Sequence, residues 1–136
     1  MKFDPSNKDF FEVIYVDTRK QAIADGNLVD VSDETKNAGF RVPVAVTHAV
    51  WHEYIEWSDT DNARKPYQDQ SGRLWDVLSM LSLSSRKNNA SIVHYQLCVI
   101  PRSGCGKRAK TITLKSVIAG GDNGEPVMTI MLPNED

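Results

Sequence analysis

Alternation of apolar and polar side chains is clearest in the last third of the chain, SIVHYQLCVIP followed by KTITLKSVIAGGDNGEPVMTIMLP. Val93, Tyr95, Leu97 and Val99 alternate with His94, Gln96 and Cys98, and Ile112, Leu114 and Ile118 alternate with Thr113, Lys115 and Val117. Met128, Ile130 and Leu132 alternate with Val127, Thr129 and Met131. A period of two puts successive side chains on opposite faces of a strand. The pattern therefore predicts a three-stranded antiparallel meander, at about 91–100, 111–119 and 127–132, with one apolar face. The turn GGDNGEP has the glycine and Asn-Gly content of a tight reversal. A longer basic loop joins the first two strands, and the third strand would be an exposed edge.

Earlier in the chain the period changes to that of helices. In VAVTHAVWHEYIEW, Val46, Val50, Tyr54 and Trp57 share one stripe, with Trp51 and Ile55 beside it. Thr47 is a natural cap, so an amphipathic helix is expected over about 47–57. The polar stretch 58–70, which contains Pro66, reads as a connecting loop. Ser71 can cap a second helix to about 85, with Leu74, Val77, Leu78 and Leu81 buried and Trp75 and Met80 widening that face. Both helices should sit on the apolar face of the meander.

Toward the N-terminus, residues 1–9 read as a mobile leader and Phe11–Val16 as a short strand. Thr18 can cap a short helix ending before Gly26, NLVDV is a second extended piece, and Ser32 can cap another helical turn that stops at Gly39. Strand and short helices, then longer helices, then a meander make an α+β layout. At 136 residues the chain is expected to be one domain, because two would each have a marginal core.

Composition places the chain among soluble globular proteins, at 40% apolar and 25% charged residues. There is no apolar run of the roughly 20 residues that cross a bilayer and no signal-peptide pattern at the start, so a cytoplasmic protein without membrane partners is expected. The net charge of −2 conceals a segregation along the chain. Residues 1–76 hold 14 acidic and 9 basic side chains, 77–121 hold seven basic and no acidic ones, and 122–136 hold four acidic ones. The acid-free stretch carries Arg86, Lys87, Arg102, Lys107, Arg108, Lys110 and Lys115. Grouped at one end of the sheet, such cations would attract phosphate or an acidic protein surface.

Candidate chemistry is sparse. Cys98 and Cys105 lack the CxxC spacing of zinc and redox sites and read as free thiols. His48, His52 and Glu56 recur every four residues, but the HExxH arrangement is missing because Ala49 follows the first histidine. No metal or cofactor is expected. SGCGKR lacks the P-loop spacing, and no GxSxG nucleophile elbow is present. The polar face of the meander is the better catalytic candidate. If the hairpins close symmetrically, Gln96, Lys115 and Thr129 lie side by side with His94 diagonal to them, and His94, Lys115 and Thr129 could act as base, cation and hydroxyl in metal-independent RNA cleavage. Helices followed by an antiparallel sheet is also the layout of small ribonucleases of the barnase and RelE type, a likeness of layout that transfers no function. An antiparallel sheet with one solvated face explains the same residues without chemistry.

The blocks DGNLVDVS, AGFRVPVAVTHAVW, DQSGRLWDVLSML and TLKSVIAGGDNGEPVMTIMLPNED resemble those of a family of small uncharacterised proteins carried by bacterial plasmids, integrative elements and phages. The resemblance runs from about Phe11 to the C-terminus. It implies one compact domain and a mobile-element setting, and it brings no catalytic residues. Small accessory proteins of such elements often bind host proteins, including restriction and CRISPR complexes. The leading expectation is accordingly a non-enzymatic binding protein for a host protein or complex, of anti-restriction or anti-CRISPR type, making contact through Arg102, Lys107, Arg108, Lys110 and Gln96 or through the acidic loop Asp59 to Asp69. The alternative is a ribonuclease-like or nucleic-acid-binding protein using the polar sheet face and the basic loop.

Overall fold

The structure, a computed structural model, describes residues 18–86 and 90–135. The leader 1–9, the strand expected at Phe11–Val16 and the basic residue Lys87 lie outside the described residues.

Short capped elements open the described chain. Helix α1 (Arg19–Ala24) starts where the Thr18 hydroxyl accepts from the Gln21 amide, and Gly26 at φ 83° follows its end. Strand β1 (Leu28–Asp30) leads into α2 (Ser32–Asn37), which stops before Gly39 at φ 90°. Both glycines occupy the left-handed region that costs other residues a clash at Cβ. Ser32 does not cap α2: it is the first helical residue, and its hydroxyl donates to Asp30 Oδ1 at 2.6 Å.

The segment expected to begin the first long helix is instead a strand, β2 (Val44–Thr47). Val44, Ala45 and Val46 are all fully buried, a run that suits a strand covered on both faces better than a helix with one solvated side. Val46 therefore leaves the helical stripe. Thr47 caps as expected, and α3 follows as one α-helical turn, His48–Val50, widening into a π-helical stretch, Trp51–Ile55. The expected loop over 58–70 contains α4 (Asp59–Arg64), begun by a capping box in which Ser58 and Asp61 exchange hydrogen bonds. Helix α5 (Gln70–Ser85) is capped by Asp69, whose carboxylate accepts from the Gly72 amide at 2.7 Å, and not by Ser71. Its buried face is Leu74, Val77, Leu78 and Leu81 as the period predicts, joined by Arg73, while Trp75 stays 52% exposed.

Strands β3 (Ile92–Val99), β4 (Lys110–Gly120) and β5 (Pro126–Met131) form the antiparallel meander. The meander is only part of a five-stranded mixed sheet of order β1-β2-β5-β4-β3, because β2 pairs parallel with β5 and antiparallel with β1. The third meander strand is thus interior, and among the described residues β3 and β1 are the edges. The core lies on the inner face, where Leu114 and Ile130 meet Val50, Ile55, Val77, Leu78 and Leu81. Ser116 also points inward and is 2% exposed.

The outer face is divided. Over its β1–β2–β5 half, Arg19 of α1 donates to the Thr129 hydroxyl at 2.7 Å and to Met128 O at 2.6 Å, while Asp122 accepts from the amides of Arg19 and Lys20. The C-terminal turn adds a second cover, with Glu135 Oε2 accepting from Thr47 Oγ1 at 2.8 Å and from the Leu132 amide at 2.7 Å. Val127 and Met131 are buried on this outer face. On β3, by contrast, His94, Gln96 and Cys98 remain exposed.

Candidate functional site

Register decides what the polar sheet face can do. His94 lies directly opposite Lys115 and Gln96 opposite Thr113, whereas Lys115 faces Met131 and Thr129 faces Val117. The expected row of Gln96, Lys115 and Thr129 is therefore not formed, because both hairpins are offset from that closure: His94 and not Gln96 stands opposite Lys115 on β3, and Met131 and not Thr129 on β5. The Lys115 ammonium donates to Glu135 O at 2.5 Å, and the Thr129 hydroxyl is held by Arg19. Of the three candidates only His94 is left with an exposed side chain and no side-chain partner among the described residues.

The described cations of the acid-free stretch are likewise separated by the fold. Arg86 sits at the C-terminal end of α5, near the start of β3, while Arg102, Lys107, Arg108 and Lys110 follow the end of β3. An eight-residue strand places these two ends about 25 Å apart. Lys107, Arg108 and Lys110 are exposed and carry no ion pair or side-chain hydrogen bond among the described residues. Arg102 differs: its side chain is 19% exposed and committed inward.

That commitment is part of a clamp at the base of the basic loop. Arg102 Nε donates to Asp61 Oδ2 at 2.8 Å, and its Nη1 reaches Glu56 Oε1 at 3.0 Å and His52 Nδ1 at 3.3 Å. The Arg102 amide donates to Glu53 O at 2.9 Å. Ser103 gives Glu53 two more hydrogen bonds, from its amide at 2.6 Å and its hydroxyl at 2.7 Å. Lys65, only 6% exposed, donates to the carbonyls of Pro101, Arg102 and Ser103 at 2.7, 3.0 and 3.3 Å. The acidic segment around Asp61 and the start of the basic loop therefore grip each other.

Arg73 secures the clamp from beneath. Its guanidinium donates to Ile55 O at 3.1 Å, Glu53 O at 3.2 Å, Ile100 O at 2.9 Å and Gln68 Oε1 at 2.7 Å, and it lies 4.3 Å from the Trp57 ring centroid. A helix ends with carbonyls that lack intrahelical partners. Here the widened turn of α3, closed by the Glu56 amide on Trp51 O, aims those of Glu53 and Ile55 at a fork of N–H donors. Burial pushes the Arg73 guanidinium down to about 10, with Asp61 opposing, so it stays charged at neutral pH. For Asp61 burial acts to raise the carboxyl, but hydrogen bonds from Ser58 and Arg102 outweigh it and hold the group at about 2.

These clamp residues are the part that periodicity misses, since Arg73, Lys65 and Asp61 look like ordinary surface charges in a linear reading. One signal was present: Ser58-Asp59-Thr60-Asp61 has capping-box spacing, which announces α4 and turns Asp61 inward. His48 and His52 do stack, with ring centroids 5.8 Å apart, and His52 Nδ1 is 3.4 Å from Glu56 Oε1. No group of three or more His, Cys, Asp or Glu able to hold a metal occurs among the described residues. Cys98 and Cys105 are free and exposed. No helix among the described residues is long and apolar enough to cross a membrane.

A protein-family model described as "Family of unknown function (DUF6573)" matches residues 7–136, and the chain belongs to that family. No curated protein and no solved structure matches the chain.

Proposed function

We propose that this member of a family of unknown function is a non-enzymatic binding protein that presents the basic loop, residues 104–110, to an acidic surface of a partner protein. One observation carries the reading: Lys107 and Arg108 on the loop and Lys110 at the first position of β4 are exposed and unpaired among the described residues, and the base of the loop is fixed by Lys65, Asp61 and Glu53. A fixed base lowers the entropy lost when the tip docks, and three like charges steer an anionic surface toward it. The resemblance to proteins of plasmids and phages makes a host defence complex the partner to try first. Lys115 and Thr129, each engaged by another group, support a ribonuclease-like reading less well.

The test compares the tagged chain with a K107E/R108E/K110E variant in lysates of several bacterial hosts, with bound proteins identified by mass spectrometry. A protein retained by the wild type and lost by the variant is the expected result. Capture of nothing from any host overturns the proposal. A parallel titration with RNA and DNA at about 50 mM salt separates the nucleic-acid reading, because phosphate contacts weaken steeply as salt rises. Salt-sensitive binding abolished by the variant, with no protein captured, would replace a protein partner by a nucleic acid.

A further inference from the structure

Among the described residues strand β3 is an edge of the sheet, and its hydrogen-bonding groups can be sorted by register. The Ile118 amide donates to Ser91 O at 2.8 Å, and the register runs without interruption from Ile92 opposite Val117 to Val99 opposite Lys110. In an antiparallel ladder, hydrogen-bonded pairs alternate with non-bonded ones. Val93, Tyr95, Leu97 and Val99 therefore turn their N–H and C=O groups to β4, while Ile92, His94, Gln96 and Cys98 turn theirs away from it. No backbone partner for these four occurs among the described residues. The opposite edge, β1, has three residues and lies against α1.

Natural edges are usually guarded by lysine, proline, a bulge or an inward charge. IVHYQLCV has none of these: it is eight residues long, regular and uncharged. We infer that β3 is a self-association edge, on which a second copy of this chain pairs antiparallel to its own β3 about a two-fold axis at Tyr95. That register sets Ile92 opposite the partner's Cys98 and His94 opposite the partner's Gln96 on the outer face, and Val93 opposite the partner's Leu97 on the inner one. Every pair matches in kind, since His94 and Gln96 can hydrogen-bond and the others are apolar, and no like charges meet. The four outward residues of each copy supply about eight backbone hydrogen bonds.

The flanking surface fits the same partner. Asp76, Ser79 and Met80 of α5 form a groove with Gln96, Leu97 and Cys98 along this edge. Leu83, one turn beyond Met80, is 53% exposed, and Ile92 on the strand is 50% exposed. A strand edge by itself is a strip about 23 Å by about 10 Å, well short of the roughly 800 Å² per partner of stable complexes. The dimer is accordingly weak, and it closes at two copies because the short β1 edge offers no second site. It is independent of the basic loop.

Analytical ultracentrifugation of the full chain from about 10 µM to about 1 mM tests the inference, a range set by the millimolar affinities of small interfaces. A dimer fraction rising with concentration is expected for the wild type and for K107E/R108E/K110E. It is expected to vanish in Gln96→Pro, whose lost N–H faces away from β4, and in His94→Lys/Gln96→Lys, which guards the edge without touching the backbone. Circular dichroism confirms folding, and the lysine variant decides if the proline variant unfolds. Register is read by oxidation in a Cys105→Ser background. Ile92→Cys brings a thiol opposite the partner's Cys98 and should yield a covalent dimer, whereas Cys98 alone, about 20 Å from its own copy, should not. A chain monomeric at 1 mM, or a dimer indifferent to the edge variants, overturns the inference, and efficient Cys98-to-Cys98 crosslinking overturns the register.

Discussion

Replacing Arg73 with Met tests whether the clamp is held from within. Methionine keeps the aliphatic stem and an apolar tip of comparable reach, so the change removes donors more than volume. It leaves Ile55 O, Glu53 O and Ile100 O without the N–H groups they now receive, and Gln68 Oε1 loses its partner as well. A buried polar group deprived of its partner costs about 1–3 kcal/mol, and the lost cation–π contact with Trp57 adds about 1 kcal/mol. Some carbonyls will recover a water, and the desolvation of a buried guanidinium is relieved. A net loss of about 3–5 kcal/mol follows from the orphaned acceptors and the lost ring contact together. Against a total of about 5–15 kcal/mol, that moves the urea midpoint by about 2 M at a slope near 2 kcal/mol per M. Arg73→Lys should recover only part of this, since an ammonium cannot span four acceptors in a fixed fork. A stability of Arg73→Met within about 0.5 kcal/mol of the wild type would refute this role for the guanidinium.

Further predictions follow from the same contacts. Asp61 has a carboxyl lowered to about 2, so its contribution is fully present above the unfolded value near 3.9 and is lost as pH falls through about 2. Asp61→Asn should therefore lower stability at pH 7 and flatten the acid branch of the stability curve between about pH 4 and pH 2, read by denaturant melts at stepped pH. Asp69→Ala should cost about 1 kcal/mol through the lost N-cap of α5, while Ser71→Ala should be nearly neutral, by thermal melts of both. Leu78→Ala should cost about 2–5 kcal/mol from the core, whereas Trp75→Ala, at a site 52% exposed, should cost under about 1 kcal/mol.

The meander was legible most clearly in β3, where one face is buried and the other exposed, and such burial writes a period of two into the sequence. The same rule hid β2: Val44, Ala45 and Val46 are buried on both sides, so they show no alternation and join smoothly onto the helical stripe of α3. Its parallel pairing with β5 is a contact across more than eighty residues that no local pattern records. Capping at Thr18 and Thr47 could be read from single residues, but Asp69 and Ser71 compete for one helix start and only the fold selects between them. The charge map was legible as a sum and misleading as a surface. Arg102 is spent on Asp61 and Glu56, Lys115 on the C-terminal turn, and Arg86 lies at the C-terminal end of α5, which leaves Lys107, Arg108 and Lys110 as the exposed group at the end of β3 among the described residues.

The proposed function rests on the clamp and the basic loop together: a base held by Asp61, Lys65 and Glu53 beside three cations that are unpaired among the described residues. Lysate capture with the wild type, with K107E/R108E/K110E and with Asp61→Asn measures it most directly. The account predicts a partner held by the wild type, lost by the charge-reversed loop and weakened when the base is loosened. A partner retained equally by all three proteins would contradict it.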